Sequence, residues 1–243
     1  MSNAKILLWD SEYTPQTTYT WSSRPKYLPN DFLLEDARML CWGARWYDKK
    51  TVQTMDERAG RREMLEGIRD LLSEADIVVS YNGIGYDTKK LNGELMAEGL
   101  KPPAPYKEVD LYREIRRSAA FYSHKLDYVA ERIIGQNKVD TGGFSLWKGV
   151  MAGDEKSWRA MLKYQKQDVN LLVDLFDAVK PWIRMPHPVS EDPTACHNCG
   201  GTNLQRRGTA RTNYSVYTRF WCTSCGKWLR GTERSGITEF RSV

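Results

Sequence analysis

The stretch Lys5-Ile6-Leu7-Leu8-Trp9-Asp10-Ser11-Glu12 decides the fold of this 243-residue chain, because it joins an apolar run directly to two carboxylates. The run is short and uninterrupted, as in a buried β-strand. Residues at positions i and i+2 of a strand point to the same face, so Asp10 and Glu12 would lie side by side. Adjacent carboxylates repel each other unless a cation lies between them. The pattern indicates a metal site or, as the alternative, a solvated strand end.

Two further acidic motifs follow along the chain. Asp87 closes the segment Asn82-Gly83-Ile84-Gly85-Tyr86-Asp87, which comes after a predicted buried strand. Asp168 follows Tyr164 by four residues on a helix predicted over residues 155–179, so the two side chains share a helix face. Each motif alone also has a structural interpretation. The first can be a glycine-rich turn that begins a helix, and the second can be a core tyrosine beside a surface aspartate.

Apolar periodicity and turn residues predict an α/β domain built on a mixed sheet. The predicted strands are residues 5–10, 37–47, 51–55 and 77–79, and the predicted helices are residues 61–74, 88–98, 108–120, 124–134 and 155–179. Between the first two strands, residues 13–36 are predicted to form a long loop that contains Tyr19, Trp21, Arg24 and Lys26. A loop of this length is usually functional or mobile.

The five cysteines indicate metal binding rather than disulfides. Cys41 stands alone, and the other four form the knuckles Cys196-His197-Asn198-Cys199 and Cys222-Thr223-Ser224-Cys225. Two CxxC knuckles suit one structural Zn²⁺ held by four thiolates, with Gly200 and Gly226 supplying the tight turns. The pattern predicts a small β zinc ribbon. The alternative, two redox pairs, does not suit a segment this short and poor in apolar residues.

The positive charge of the chain is concentrated in this C-terminal segment. The formal net charge is +5, but no Asp or Glu occurs between Ala195 and Thr232. The basic residues of that interval alternate with aromatic ones and are Arg206, Arg207, Arg211, Arg219, Lys227 and Arg230. Cations bind phosphates and rings stack on bases, so the segment is predicted to bind nucleic acid. The alternative is a small domain that uses rings as its core and cations for solubility.

Composition and hydropathy predict the cellular location of the chain and its domain boundaries. The chain is 41% hydrophobic and 28% charged, as in ordinary soluble globular proteins. It has no apolar run of membrane-spanning length and no signal peptide, so we expect no membrane contact and a cytoplasmic location. The expected organisation is one large domain over residues 1–184, a proline-rich linker over 185–195, and the zinc ribbon with its tail over 196–243.

Together, the three acidic motifs resemble those of the DnaQ-like 3′–5′ exonucleases of the RNase H-like superfamily, in the branch with Tyr in the third motif that is called DEDDy. The resemblance covers about residues 5–180. The stretch from Tyr81 to Leu126 also resembles stand-alone phage and bacterial members, and for a phage-encoded chain the cytoplasm would be that of the host. Ser11 departs from the family, where an aliphatic residue is common. We expect Ser11 to change only a neighbour on the opposite strand face.

The resemblance implies an RNase H-like mixed β-sheet flanked by helices and a two-metal nuclease. Tyr164 matches the residue that positions the attacking water, and Asn82 matches the polar residue that opens the second motif and contacts nucleic acid. The acids that match the family's ligands for two Mg²⁺ or Mn²⁺ ions are Asp10, Glu12, Asp87 and Asp168. The implied reaction is 3′–5′ exonucleolytic hydrolysis of nucleic acid, with DNA favoured.

Two other functions stay open from the sequence. The same metal site can cut internally in an open cleft, as in a structure-specific endonuclease on branched DNA. The chain can also be a non-catalytic nucleic-acid-binding or recruitment module, although its intact acids argue against this. The zinc ribbon can contact a protein partner instead of nucleic acid.

Overall fold

A computed structural model describes residues 3–137 and 142–238. The end of the expected tail, residues 239–243, therefore lies outside the described part. The strands are β1 (Ile6–Tyr13), β2 (Thr17–Thr18), β3 (Leu33–Glu35), β4 (Met39–Trp46), β5 (Gln53–Asp56), β6 (Ile77–Ser80), β7 (Lys107–Asp110), β8 (Leu204–Arg211), β9 (Ser215–Cys222) and β10 (Trp228–Ile237). The α-helices are α1 (Arg61–Glu74), α2 (Asp87–Ala97), α3 (Leu111–Ser118), α4 (Leu126–Ile134), α5 (Ser145–Met151) and α6 (Glu155–Val179).

The central sheet has five strands in the order β5-β4-β1-β6-β7. β1 pairs antiparallel with β4 and parallel with β6, so the sheet is mixed, as predicted. The residues of β1 alternate between two cores because successive strand side chains point to opposite faces. Ile6 and Leu8 pack in the cluster that contains Phe176 of α6, whereas Leu7 and Trp9 pack in the cluster that contains the buried side of α1.

The structure changes the bounds of three of the five predicted helices and adds one helix that was not predicted. The helix predicted over 124–134 begins at Leu126. The helix predicted over 108–120 begins only at Leu111, because Lys107–Asp110 extend the sheet as β7, parallel to β6. The helix predicted over 88–98 begins one residue earlier, at Asp87. The short helix α5 was not predicted at all. By contrast, the helix predicted over 155–179 is confirmed as α6, whose first turn is capped by the Asp154 carboxylate accepting from Ser157 N at 2.8 Å.

The predicted linker is packed against both of its neighbours. Met185 and Val189 are buried in the same cluster as Ile6 and Leu8. The Val189 carbonyl accepts a 2.8 Å hydrogen bond from Ala4 N, and Val189 N donates to the His197 carbonyl of the first knuckle at 3.1 Å. The three-stranded sheet β10-β9-β8 that follows is therefore held against the large domain.

No helix of residues 3–137 and 142–238 combines the length and the apolar character that crossing a membrane requires.

Candidate active site and cysteine cluster

Three of the four predicted acids converge beside the carboxyl end of β1. Asp10, Glu12 and Asp168 each offer a carboxylate oxygen, and these atoms all lie within 4.8 Å of one another. Asp168 comes from α6 and is only 2% exposed, while the two β1 carboxylates are half-buried. Three like charges at this spacing favour a cation between them. Carboxylate oxygens are the ligands that Mg²⁺ and Mn²⁺ prefer, so the residues fit such an ion.

Gly43 of β4 and Gln165 of α6 allow this helix to pack closely against the sheet beside Asp10. Gly43 of β4 lies opposite Asp10 in the register. A Cβ at Gly43 would lie 2.9 Å from Gln165 Cγ and 3.0 Å from Val169 Cγ2, so a side chain there would push α6 away. Gln165 is fully buried, and its Nε2 donates to Asp10 Oδ2 at 3.1 Å. Sequence analysis missed both residues, although Gln165 lies nearly one helical turn before Asp168 and so faces the same way.

Asp87 occupies a neighbouring position at the start of α2. Within the described ranges it is not part of the three-carboxylate group. Its Oδ1 accepts a 2.6 Å hydrogen bond from Ser11 Oγ, and both side chains are buried. We expected Ser11 to change only a neighbour on the opposite face of the strand, but its hydroxyl also binds Asp87. It links the second acidic motif to the strand that carries the first.

Two tyrosines and a lysine surround Asp87. The rings of Tyr13 and Tyr86 meet edge to face at 5.9 Å, and Lys90 Nζ lies 5.4 Å and 5.5 Å from their centroids. Burial raises the pKa of Tyr13, and the Asp87 charge raises it further. Burial also raises the pKa of Tyr86, with Asp87 and Glu12 adding to the effect. Both phenols therefore stay protonated, and the Lys90 ammonium group lies beside both rings.

The loop before Asp87 is held by a buried aspartate that is not one of the four acids. Asn82 adopts a left-handed backbone with φ of 65°, which Asn tolerates better than most residues. Its N–H donates to Asp110 Oδ1 at 2.9 Å, and its carbonyl accepts from Gly85 N at 3.0 Å. The Asn82 side chain is exposed. It is therefore available to a ligand, while its backbone shapes the turn that leads to Asp87.

Tyr164 lies one turn before Asp168 on α6 and is half-buried. The ring of Trp147, from the unpredicted helix α5, packs edge-on against it at a centroid distance of 6.3 Å. Trp147 Nε1 also donates to the carbonyl of Tyr13 at 3.2 Å. Trp147 thus fixes the Tyr164 ring relative to β1, and no sequence signal indicated this contact.

Cys41 lies opposite Glu12 in β4 and is buried. Burial raises the pKa of its thiol well above the usual range, and the Glu12 and Asp10 charges raise it further. The thiol therefore stays protonated beside the acids.

The other four cysteines form a compact cluster. All four sulfur atoms lie within 4.8 Å of one another, in Cys196, Cys199, Cys222 and Cys225. The Sγ–Sγ distance is 3.8 Å between Cys196 and Cys225 and 3.7 Å between Cys199 and Cys222. A tetrahedral Zn²⁺ with Zn–S bonds of about 2.3 Å requires Sγ–Sγ distances of about 3.8 Å. The cluster therefore fits a zinc ribbon, and the glycines after the knuckles, Gly200 and Gly226, have the predicted turn geometry, with φ of 73° and 76°.

One face of the ribbon sheet interleaves arginines with aromatic rings. Three guanidinium groups lie over rings: Arg207 over Trp221 at 5.8 Å, Arg219 over Trp228 at 4.9 Å, and Arg230 over Tyr217 at 4.4 Å. Arg219 and Arg230 are directly opposite each other in the register, an arrangement of like charges that an anion would stabilise. We call these six residues the arginine–aromatic face.

The other predicted basic residues lie elsewhere. Arg206 pairs with Phe220 and Arg211 with Val216, which places both arginines on the opposite face of the ribbon sheet. Lys227 Nζ donates to the carbonyl of Ile183 at 2.6 Å, so its ammonium group attaches the ribbon to the large domain. The structure therefore brings together three of the six basic residues.

A sequence model of the RNase H superfamily matches residues 35–180. The chain belongs to the RNase H superfamily. The matched range contains Asp87, Tyr164 and Asp168 but begins after Asp10 and Glu12. The place of the first motif in this RNase H superfamily domain therefore rests on the carboxylate geometry described above.

Two DNA polymerases are similar to this RNase H superfamily chain. "Putative DNA polymerase 060R" of Frog virus 3 (isolate Goorha) is 25% identical over 158 residues, an alignment that covers 50% of this chain and 15% of that protein. The family B DNA polymerase from the hyperthermophilic archaeon Pyrobaculum calidifontis superimposes with a TM-score of 0.56 at 18% identity, covering 74% of this chain and 25% of the polymerase chain. At this identity the structural likeness shows the fold alone, and the chain spans less than a third of either polymerase.

Proposed function

We propose that the chain is a metal-dependent 3′–5′ exonuclease of the DEDDy type that hydrolyses phosphodiester bonds of nucleic acid. The observation that carries the proposal is the convergence of Asp10, Glu12 and Asp168 within 4.8 Å at the end of the central strand of an RNase H superfamily domain. Because both similar proteins are named DNA polymerases, we favour DNA over RNA as the substrate.

Each of the chain's own residues has a defined part in this proposal. Asp10, Glu12, Asp87 and Asp168 would hold two Mg²⁺ or Mn²⁺ ions. Bound ions of this kind stabilise the charge on the attacking and leaving oxygens of a phosphodiester displacement.

Positioning groups would act around these four acids. Gln165 orients the Asp10 carboxylate and Ser11 orients that of Asp87, through the hydrogen bonds described above. The Tyr164 hydroxyl would orient the attacking water, and the exposed Asn82 side chain would contact the nucleic acid.

The ribbon would add substrate affinity rather than chemistry. The cysteine cluster would hold one structural Zn²⁺ and so fix the hairpin that carries the arginine–aromatic face. Phosphates bind guanidinium groups and unstacked bases bind rings, so this face suits nucleic acid.

One assay tests the proposal against its alternatives. The protein is incubated with Mn²⁺ and either 3′-end-labelled or internally labelled DNA, single-stranded or branched. Mononucleotides released first from the 3′ end support an exonuclease. Internal fragments from branched DNA would instead identify an endonuclease. If no substrate gives a product, the remaining interpretation is a non-catalytic nucleic-acid-binding module. The Asp168→Asn variant, purified in the same way, controls for a contaminating nuclease.

A further inference from the structure

The long connection between β1 and β4 forms a projecting hairpin. Thr14 N donates to the Arg38 carbonyl at 2.9 Å and Arg38 N donates to Thr14 Oγ1 at 3.0 Å, which closes the base of the hairpin. Above this base β2 pairs with β3, and Tyr19 N donates to the Phe32 carbonyl at 2.9 Å. We call residues 14–38 the arm. It leaves β1 two residues after Glu12, at the carboxyl end of the strand that carries Asp10 and Glu12.

The tip of the arm exposes three aromatic rings. All residues from Tyr19 to Leu28 are exposed. The exposed fractions are 68% for Tyr19, 97% for Trp21 and 77% for Tyr27. Large rings normally contribute to stability by burial, so three of them left in water on one segment indicate an interaction site.

The charge of the arm indicates the chemistry of its partner. From Thr14 to Asn30 the sequence has no acidic residue and two basic ones, Arg24 and Lys26. Neither has an ion-pair partner within 4.0 Å in the part of the chain that the structure describes. Exposed rings interleaved with uncompensated cations suit a polyanion that carries planar groups. Single-stranded nucleic acid has both properties.

The tip keeps its shape through its own polar groups. Thr20 Oγ1 donates to the Ser22 carbonyl at 2.8 Å, and Arg24 N donates to Ser22 Oγ at 3.2 Å. Because the ring of Trp21 is almost fully exposed, its removal takes no packing away from the domain. Substitutions of the tip rings therefore report on binding rather than on folding.

We propose that the arm binds single-stranded nucleic acid, with bases stacked on Tyr19, Trp21 and Tyr27 and phosphates held by Arg24 and Lys26. The arm thereby holds a strand beside the group formed by Asp10, Glu12 and Asp168. The inference extends the proposed nuclease function, on which its substrate class rests, and it is separate from the arginine–aromatic face of the ribbon.

Binding of fluorescein-labelled oligothymidine, measured by anisotropy with Ca²⁺ in place of Mg²⁺, tests the stacking. Trp21→Ala should weaken binding by roughly tenfold, within the range for loss of one stacked base. Trp21→Phe should restore most of the affinity, whereas Trp21→Leu should not, because leucine is apolar but has no flat face. The matched control is Trp182→Ala. Trp182 is 69% exposed and lies three residues beyond the end of α6 at Val179. That helix end is about 16 Å from Asp168 along the helix axis.

A second substrate separates this inference from the proposed function. The p-nitrophenyl ester of thymidine 5′-monophosphate needs the acidic site but is too short to reach the arm. Wild type and Trp21→Ala should hydrolyse it equally, and a wild type inactive on this ester and on DNA would contradict the nuclease proposal alone. The arm proposal would be overturned if both the Trp21→Ala variant and the Arg24→Gln/Lys26→Gln variant bind oligothymidine as tightly as wild type. Equal affinities of Trp21→Leu and Trp21→Phe for oligothymidine would also overturn it, because a flat ring at this position would then contribute nothing to binding.

Discussion

Ser11 Oγ donates a 2.6 Å hydrogen bond to Asp87 Oδ1, and so connects two acidic motifs that lie 76 residues apart. Ser11 lies between Asp10 and Glu12 on β1, while Asp87 begins α2. The start of a helix already favours a carboxylate through the helix dipole. The serine adds a fixed direction, because a buried hydroxyl at this distance orients one oxygen of the carboxylate. Ser11 thus joins the two motifs.

Ser11→Ala should lower nuclease activity without abolishing it. A hydrogen bond to a charged group contributes about 1.5–3 kcal/mol, which corresponds to a loss of roughly tenfold or more. Because the bond orients a proposed metal ligand, the Mn²⁺ concentration for half-maximal activity should rise more than the KM for DNA. Activity measured over a Mn²⁺ titration checks this. An unchanged Mn²⁺ dependence would mean that Asp87 is oriented without the serine.

The four acids should behave as one unit. Asp10→Asn, Glu12→Gln, Asp87→Asn and Asp168→Asn should each lose nearly all activity while remaining folded, since effects within such a site are strongly non-additive. Without divalent ions, Asp168→Asn should unfold at a higher temperature than wild type, because it removes one of three mutually repelling carboxylates.

Thermal unfolding with and without Mn²⁺ tests this unit. Ion binding to the native state raises the unfolding temperature of wild type, and this increase should be lost in Asp168→Asn. A folded Asp87→Asn variant with near-normal turnover would exclude Asp87 from the site.

Tyr164→Phe should slow cleavage on the order of 10²-fold, within the range for loss of one group that aligns a proton transfer. The phenyl ring keeps the contact with Trp147, so the fold and the Mn²⁺-dependent increase in unfolding temperature should remain. Single-turnover rates on end-labelled DNA measure the effect. Equal rates for Tyr164→Phe and wild type would reduce Tyr164 to a packing residue.

Local patterns in the sequence were sufficient to predict the parts of the site but not the contacts between them. The apolar run before Asp10 and the periodicity around Asp168 placed both acids on the correct elements. The hydrogen bond from Gln165 to Asp10 joins residues 155 positions apart, and no periodicity encodes it. The sequence predicts helix for residues 108–110 of β7, because this strand is short and Val109 is its one aliphatic residue.

The linker over residues 185–195 is a second case in which local composition does not reveal a tertiary contact. Its prolines and polar residues predicted a spacer, and composition gave no sign that Met185 and Val189 fill the main core. A chain ending at Arg184 would lose both side chains. Point substitutions therefore test the ribbon better than truncation does.

Gly43→Ala should destabilise the domain by about 1–3 kcal/mol, the usual cost of overpacking. The added methyl group would lie 2.9 Å from Gln165 Cγ. Gln165→Ala removes that atom, so the double variant should be more stable than the sum of the two single effects predicts. Urea unfolding of wild type, both single variants and the double variant completes the cycle. Additive effects would show that Gly43 is needed for a reason other than the approach of α6.

The arginine–aromatic face should supply salt-dependent affinity. Replacing Arg207, Arg219 and Arg230 with Gln removes three cations from one face of the ribbon sheet. If all three contact phosphates, the log–log dependence of affinity on salt should become shallower by about 2 to 3. The affinity deficit should shrink as salt rises. Turnover at saturating DNA should be unchanged, because the four acids lie in the large domain.

The matched control is Arg206→Gln/Arg211→Gln, which removes two cations from the opposite face of the same sheet. Its salt dependence should stay close to that of wild type, because those side chains point away from the arginine–aromatic face. Binding isotherms at several salt concentrations compare the three proteins. Equal losses per arginine in both variants would indicate attraction by net charge without a defined face. Wild-type affinity and slope in the triple variant would assign the ribbon to a protein partner, because its cations would then contribute nothing to DNA binding.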